Sequence, residues 1–378
     1  MPVMTAILKN KKVAIIGAGP VGLTMARLLQ LKGLNVTVYE RDKNPAARIW
    51  GGTLDLHENS GQKALDKAGL LEGYFAKAKP IGRNIVDTQA RLIFTVSPHY
   101  KSPEINRNDL RNLMLNSITS DTVIWDSKFT SIEVQNGQWL LRFENGRHAT
   151  ADFVIGANGG MSKARHYATD TVVEDTGTFI IQGEVYRPET KCNAFYELCG
   201  DNILMTAGEG RTLVANPDNN GALTYNVTFK KPKEWDNGNG LEFKDAASVT
   251  AFLINMFPHW DECYHQLFRA TSFFVGLPSR RLPLDSPWKS DRPLPITLIG
   301  DAAHVMPPFA GRGVNMGLMD AFILSENLTC GKFDTVAAAI DDYEQQMFIY
   351  AKKAQLETNR NETEMHSPNF FFAKRFNS

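Results

Sequence analysis

The spacing of apolar positions changes period along the chain, and each change marks an element. Val13, Ala14, Ile15 and Ile16 form an unbroken apolar run, the pattern of a short strand covered on both faces. Between 20 and 32, Leu23, Ala26, Leu28 and Leu29 recur at helical spacing, and Val36, Thr37, Val38 and Tyr39 make a second strand. This spacing predicts a β-α-β unit. From about 70 to 104 the pattern turns irregular. A helix is predicted from Asn106, with Leu110, Leu113, Met114 and Ile118 on one face, leading into a strand at 122–125. Strands at 129–134 and 139–144 flank Asn136-Gly137, a strong hairpin signal, and Phe153, Val154, Ile155 and Gly156 form another core run.

Between about 171 and 275 the period falls to two. Runs at 179–186, 193–198, 203–206, 212–215 and 223–229 are separated by turn clusters such as Pro217-Asp218-Asn219-Asn220-Gly221, which predicts a mostly antiparallel sheet and a second domain. The run at 295–299 then returns as a core strand ending in Gly300-Asp301, so the first domain is discontinuous in sequence. Helices are predicted at 318–328 and 336–356. In the second, Ile340, Tyr343, Met347, Tyr350 and Ala354 form a packing stripe.

Composition narrows the function. The 378 residues leave room for two or three domains. Lys plus Arg (41) equals Asp plus Glu (41), so no net field draws the chain to nucleic acid or acidic membranes, and neither is an expected partner. Cys192, Cys199, Cys263 and Cys330 are too far apart for a CxxC pair and too few for a disulfide framework, which points to a reducing cytoplasm. Lys9, Lys11 and Lys12 ahead of an apolar run imitate a leader peptide. Gly17, Gly19, Pro20 and Gly22 break that run at once, so neither a leader nor a membrane span is predicted.

The sharpest chemical signal is Gly17-Ala18-Gly19-Pro20-Val21-Gly22, between a strand and a helix, with Glu40 ending the next strand. Gly17 permits the tight turn, Gly19 lets backbone approach a pyrophosphate, and Gly22 allows close helix packing. The helix N-terminus faces the phosphate charge, and Glu40 can accept hydrogen bonds from ribose hydroxyls. A second signal is Gly300-Asp301 at a strand end, followed by Pro308, Phe309, Gly311, Gly313 and Asn315 before a helix. Asp301 suits ribityl hydroxyls, and free N–H groups at the helix start suit a pyrimidine-like carbonyl. With a single dinucleotide fingerprint, the pair points to FAD rather than to a separate nicotinamide domain.

These segments, together with Asn106-Arg107-Asn108-Asp109-Leu110-Arg111, resemble the single-component FAD aromatic hydroxylases, the group A flavoprotein monooxygenases, and within them the TetX-type tetracycline destructases. Similar stretches include 38–42, 51–57, 103–111, 157–163 and 343–350, and the likeness runs over about 12–372. The resemblance implies an α/β fold: a Rossmann-like FAD-binding domain of the GR2, para-hydroxybenzoate hydroxylase type (1–72, 103–172 and 283–331), a mostly antiparallel substrate domain (73–102 and 173–282), and a C-terminal bridging helix and tail (332–378). It implies tightly but non-covalently bound FAD, NADPH as a transient co-substrate, and O2. Gly17, Gly19, Gly22, Glu40, Arg41 and Asp55 would hold the cofactor with Arg111 near its diphosphate and Asp301 on the ribityl chain, while Pro308, Gly311, Gly313 and Asn315 border the ring system. Asn158-Gly159 stands where the wider superfamily has Asp-Gly, a change the TetX type shares and FAD tolerates.

For substrate, the resemblance points to Gln182, Met205, Gly221, Pro308, Phe309, Asn361, Met365 and Phe372 around a cavity between the second sheet and the flavin. Gln182 is also informative by itself, as a polar side chain in the apolar run Phe179-Ile180-Ile181. The implied reaction is hydroxylation of a tetracycline-type polycycle through a flavin C4a-hydroperoxide, with no protein residue as catalyst. The same chemistry on another aromatic or polycyclic compound is the alternative, since Ile203 and Thr224 replace an arginine and a histidine of the TetX pattern. Arg312 and Met316 replace smaller or neutral residues beside the flavin loop. A flavin-less binding module of the same fold is a third reading. His259, Cys263 and His265 lie close together without a completing carboxylate, so no metal is expected, and His304 is read as structural. A monomer is expected.

Overall fold

Why the run at 13–16 is apolar throughout is plain from its surroundings: it lies at the centre of a parallel sheet. The computed structural model describes residues 6–47, 51–232, 235 and 241–376. The elements that position the site are β1 (Val13–Ile16), α1 (Pro20–Gln30), β2 (Val36–Tyr39), β3 (Arg83–Val86), β4 (Leu92–Val96), α2 (Arg107–Leu115), β5 (Val123–Ile124), β6 (Phe153–Gly156) and β7 (Glu174–Tyr186). They continue with α3 (Asn193–Cys199), β8 (Ile203–Gly208), β9 (Arg211–Asn216), β10 (Ala222–Lys230), α4 (Ala246–Met256), α5 (Glu262–Ala270), β11 (Phe274–Arg281), β12 (Ile296–Leu298), α6 (Gly313–Thr329) and α7 (Val336–Met365).

The first sheet has the order β12-β6-β1-β2-β5 and is parallel throughout. Ile15 pairs with Ile155 on one side and Val38 on the other, and all four residues of β1 are buried. α1 crosses back over the sheet with Leu23, Met25, Ala26, Leu28 and Leu29 inward. A three-stranded antiparallel sheet (Phe129–Gln135, Gln138–Phe143 and His148–Ala151) packs alongside, where Phe143 stacks on Tyr39 at 4.8 Å.

The second sheet has the order β11-β7-β10-β9-β8-β3-β4, antiparallel except for the parallel pair β8–β3. Its residues alternate between two faces. Ile181, Val185, Leu213, Leu223 and Val227 pack in one cluster with the helices α3, α4 and α5. Met205 and Val214 belong instead to a cluster with Phe309 and the C-terminal Met365, Phe370 and Phe372. α7 spans both regions: Tyr343 Oη donates to Leu298 O (2.8 Å) near one end, and Thr176 Oγ1 donates to Glu362 Oε1 (2.5 Å) near the other. Between them the Arg292–Glu344 pair, bidentate at 2.7 Å, also receives Thr297 Oγ1.

Three expectations need correction. The run at 193–198, read as a strand, is the helix α3; Phe195 and Cys199 sit four apart and are both buried, with Phe195 edge-on to Tyr264 at 5.8 Å. The irregular stretch 70–104 contains β3 and β4, strands whose polar Arg83, Asn84 and Thr95 interrupt any apolar run. The last helix continues past 356 to Met365, because buried Thr358, Asn361 and Glu362 extend its inner face with polar residues.

Candidate functional site

The turn after β1 is built by steric necessity. Gly17 has φ +111°, and a Cβ there would fall 2.5 Å from Ala157 O; a Cβ on Gly22 would fall 2.1 Å from Gly17 O. At Gly19 the same position is open, with no atom within 4 Å, so backbone is bared where the α1 N-terminus points. Glu40 is buried and accepts from Ala18 N–H (2.6 Å) and Asp42 N–H (2.9 Å), which fixes its carboxylate against the turn. Arg41 is exposed. Arg111 is buried on α2, donates to Asp42 Oδ2 (2.8 Å) and Ala47 O (3.1 Å), and leaves its Nε without a partner.

The second signal lies beyond β12. Gly300 (φ +64°) turns the chain into a short helix, Asp301–His304, and leaves the Asp301 side chain exposed. Arg165 Nη2 and Nε donate to the backbone oxygens of Asp301 and Ala302 (3.0 and 2.9 Å). Burial pushes the Arg165 guanidinium down to about 10, opposed by the Asp301 carboxylate. A Cβ on Gly313 would lie 3.8 Å from Asp301 Oδ1 and one on Gly311 3.7 Å from Asp55 Oδ1, so two carboxylates flank the 311–313 loop. Burial raises Asp55, but its His57 partner outweighs this and holds the carboxyl below its usual range. Asn315 is fully buried: its Oδ1 accepts from His57 N–H (2.8 Å) and its Nδ2 donates to Asp55 O (3.0 Å), so it fastens the loop to the 55–61 segment.

Two contributors escaped the sequence reading. Arg107, at the start of α2, donates from Nε to Gly52 O (2.9 Å); burial lowers its pKa, opposed by the charges of Asp301 and Glu104. Asp320, fully buried on α6, accepts from Gly300 N–H (2.6 Å), Tyr350 Oη (2.5 Å) and His304 Nε2 (2.7 Å). Arg107 stood inside a quoted motif, whereas a lone acid in a helical stripe gives no sequence signal. His304 is fully buried on this carboxylate.

On the substrate side, Met205, Phe309, Met365 and Phe372 meet in one cluster, and Asn361 Nδ2 donates to Phe309 O (3.0 Å). Pro308 is exposed beside them. Gln182 lies in a separate narrow cleft with Gly52, Glu184, Thr224, Asn226 and Phe273. Gly221 sits in an exposed turn whose neighbour Asn219 donates to Gly51 O (3.1 Å) and Thr224 Oγ1 (3.3 Å). Ile203 is buried at the start of β8. Arg312 bridges Glu357 (3.1 Å) and His57 Nδ1 (3.1 Å), tying the 311–313 loop to α7. Among the described residues no group of three metal-ligating side chains converges.

The open space at Gly19, the fixed Glu40, the unpartnered Arg111 Nε and the exposed Asp301 carboxylate fit a pyrophosphate-linked dinucleotide carrying a polyol. Comparison with known proteins agrees. A family model described as FAD binding domain matches residues 10–355. Monooxygenase penA of Penicillium thymicola is 26% identical over 406 residues, spanning 91% of this chain and 92% of its own. Two crystal structures share the fold. Tetracycline destructase Tet(55) matches with TM-score 0.78 at 21% identity (100% of this chain, 95% of that one). HpxO of Klebsiella pneumoniae, complexed with FAD and uric acid, matches with TM-score 0.78 at 20% identity (98% and 92%).

Proposed function

We propose that this chain, which belongs to the FAD-binding domain family, is an NADPH-dependent monooxygenase that hydroxylates a tetracycline-type polycycle and so inactivates the antibiotic. FAD, when bound, would supply the redox chemistry, namely hydride uptake from the nicotinamide and transfer of one oxygen atom of O2 to carbon with the other leaving as water. The protein's own part is to bind, orient and keep water out. Glu40 takes the adenosine ribose hydroxyls and Arg111 Nε the diphosphate. Asp301 holds the ribityl hydroxyls, and the buried Asp320 keeps the Gly300 turn in place beneath it. The observation that carries the reading is the conjunction of the bared Gly19 backbone below Glu40 with the Asp301 carboxylate beside the 311–313 loop.

The apolar cluster of Met205, Phe309, Met365 and Phe372 supports a dry wall next to that loop, which protects an activated oxygen from loss to water. An electron-rich phenol or enol carbon needs no protein nucleophile. The likeness to the monooxygenase penA over most of both chains supports oxygen transfer of this class. Ile203 and Thr224 favour a second reading, the same chemistry on another aromatic compound. No described helix is long and apolar enough to cross a membrane. The test follows NADPH oxidation in air with and without tetracycline. Drug-dependent oxidation with loss of the tetracycline chromophore is expected; flavin reduction without drug turnover moves the assignment to the second reading.

A further inference from the structure

Two amides lie side by side on the inner face of the second sheet, and the oxygen of one is buried without a hydrogen bond. Gln182 on β7 and Asn226 on β10 are direct cross-strand partners and line the same narrow cleft. Asn226 Oδ1 is buried and accepts no hydrogen bond. On the same strands, Thr228 Oγ1 is bonded to Thr212 (2.7 Å) and His366 (2.8 Å), and Thr224 Oγ1 accepts from Asn219 (3.3 Å). Asn216, the other amide of this face, donates to Thr53 Oγ1 (3.1 Å) and accepts from Asp218 N–H (3.1 Å). An unpaired buried carbonyl costs about 1–3 kcal/mol, and a valine in that strand would avoid the cost. The register puts apolar residues on either side: Val214 opposes Asn226 on β9, and Val275 opposes Gln182 on β11.

We infer that Asn226 accepts an N–H from the substrate, and that the substrate class is an aromatic ring system with a cyclic amide edge. The assignment rests on the second reading above, the same hydroxylase chemistry on another aromatic compound, for calling the ligand a substrate. The ring lies against Val275 and Phe273, which line the cleft. The N–H meets Asn226 Oδ1, and the adjacent carbonyl meets the Gln182 amide, since directly opposed strand residues stand about 5 Å apart. A ligand in which CH2 replaces N–H leaves the Asn226 oxygen buried and unsatisfied.

The test uses the FAD-loaded enzyme and two bicyclic probes that differ only there, oxindole and 2-indanone, titrated by calorimetry. Oxindole is expected to bind ~10-fold more tightly, the ratio that one buried hydrogen bond supports. In Asn226→Val, a change that suits a strand, the ratio is expected to fall below ~2-fold. Equal affinities in the wild type, a ratio that survives Asn226→Val, or no heat with oxindole up to its solubility limit would each overturn the inference. Calorimetry reads binding without turnover, so an enzyme that discriminates the probes but oxidises no NADPH refutes the hydroxylase reading and leaves the Asn226 assignment standing.

Discussion

Replacing Asp320 by alanine removes the acceptor at the centre of a buried polar knot. The carboxylate receives Gly300 N–H (2.6 Å), His304 Nε2 (2.7 Å) and Tyr350 Oη (2.5 Å), and neither Asp320 nor His304 is exposed to solvent. Breaking a buried ion pair from one side costs about 3–5 kcal/mol. Two further orphaned donors add about 1–3 kcal/mol each, less what His304 recovers by shedding its proton. A total near 5 kcal/mol is expected, a large fraction of the roughly 5–15 kcal/mol that holds a domain together. At ~2–4 °C per kcal/mol, Asp320→Ala should melt ~10–20 °C below wild type by circular dichroism. Tyr350→Phe, which loses one bond, should cost only about 1 kcal/mol. Because Gly300 carries Asp301, Asp320→Ala should also weaken FAD binding in a fluorescence titration, whereas Tyr350→Phe should not. An Asp320→Ala protein that melts within ~2 °C of wild type refutes the reasoning.

Four further outcomes follow from particular groups. Burial depresses the His304 imidazolium, but the Asp320 carboxylate outweighs burial and raises it above its usual 6.5; this contribution to stability is complete below that value and is lost as pH rises through the folded pKa, and Asp320→Asn should flatten the melting profile over that range. Gly22→Ala forces a Cβ to 2.1 Å from Gly17 O and should abolish FAD retention, read as the flavin-to-protein absorbance ratio of the purified protein. Of four free cysteines only Cys330 is exposed, and burial pushes the Cys192 thiol up to about 11, so a native thiol titration should label one site and denaturation should release the other three. Ile203→Arg combined with Thr224→His should tighten tetracycline binding; unchanged affinity would mean that these two positions do not meet the drug.

The glycine turn after β1 was legible because its strand–turn–helix signature is local. Gly22 is dictated by Gly17 O, five residues back, so glycine spacing reports it, although Gly17 itself is dictated by Ala157 O at the end of a distant strand. The parallel core was legible for a related reason, since β1 and β6 are apolar at every position. What stayed hidden depends on contacts distant in sequence. Arg107 approaches Gly52, and Asp320 reaches back to Gly300, pairings that no periodicity encodes. The strand expected at 193–198 fails for the opposite reason: a short run with Phe195 and Cys199 inward fits two periods, and packing against α5 decides for the helix. Asn226 was invisible for a third reason. An asparagine in a strand reads as a weak strand former until its own oxygen is seen to be buried without a hydrogen bond.

The central claim is that Glu40, Arg111 and Asp301 together hold FAD. It is tested most directly by the visible spectrum of the purified protein, before and after heat denaturation and filtration. The account predicts flavin absorption that copurifies with the chain at close to one FAD per protein, passes the filter once the protein unfolds, and is lost in Asp301→Ala. A colourless protein that takes up no FAD on incubation would contradict it and favour a flavin-less binding module built on the same fold.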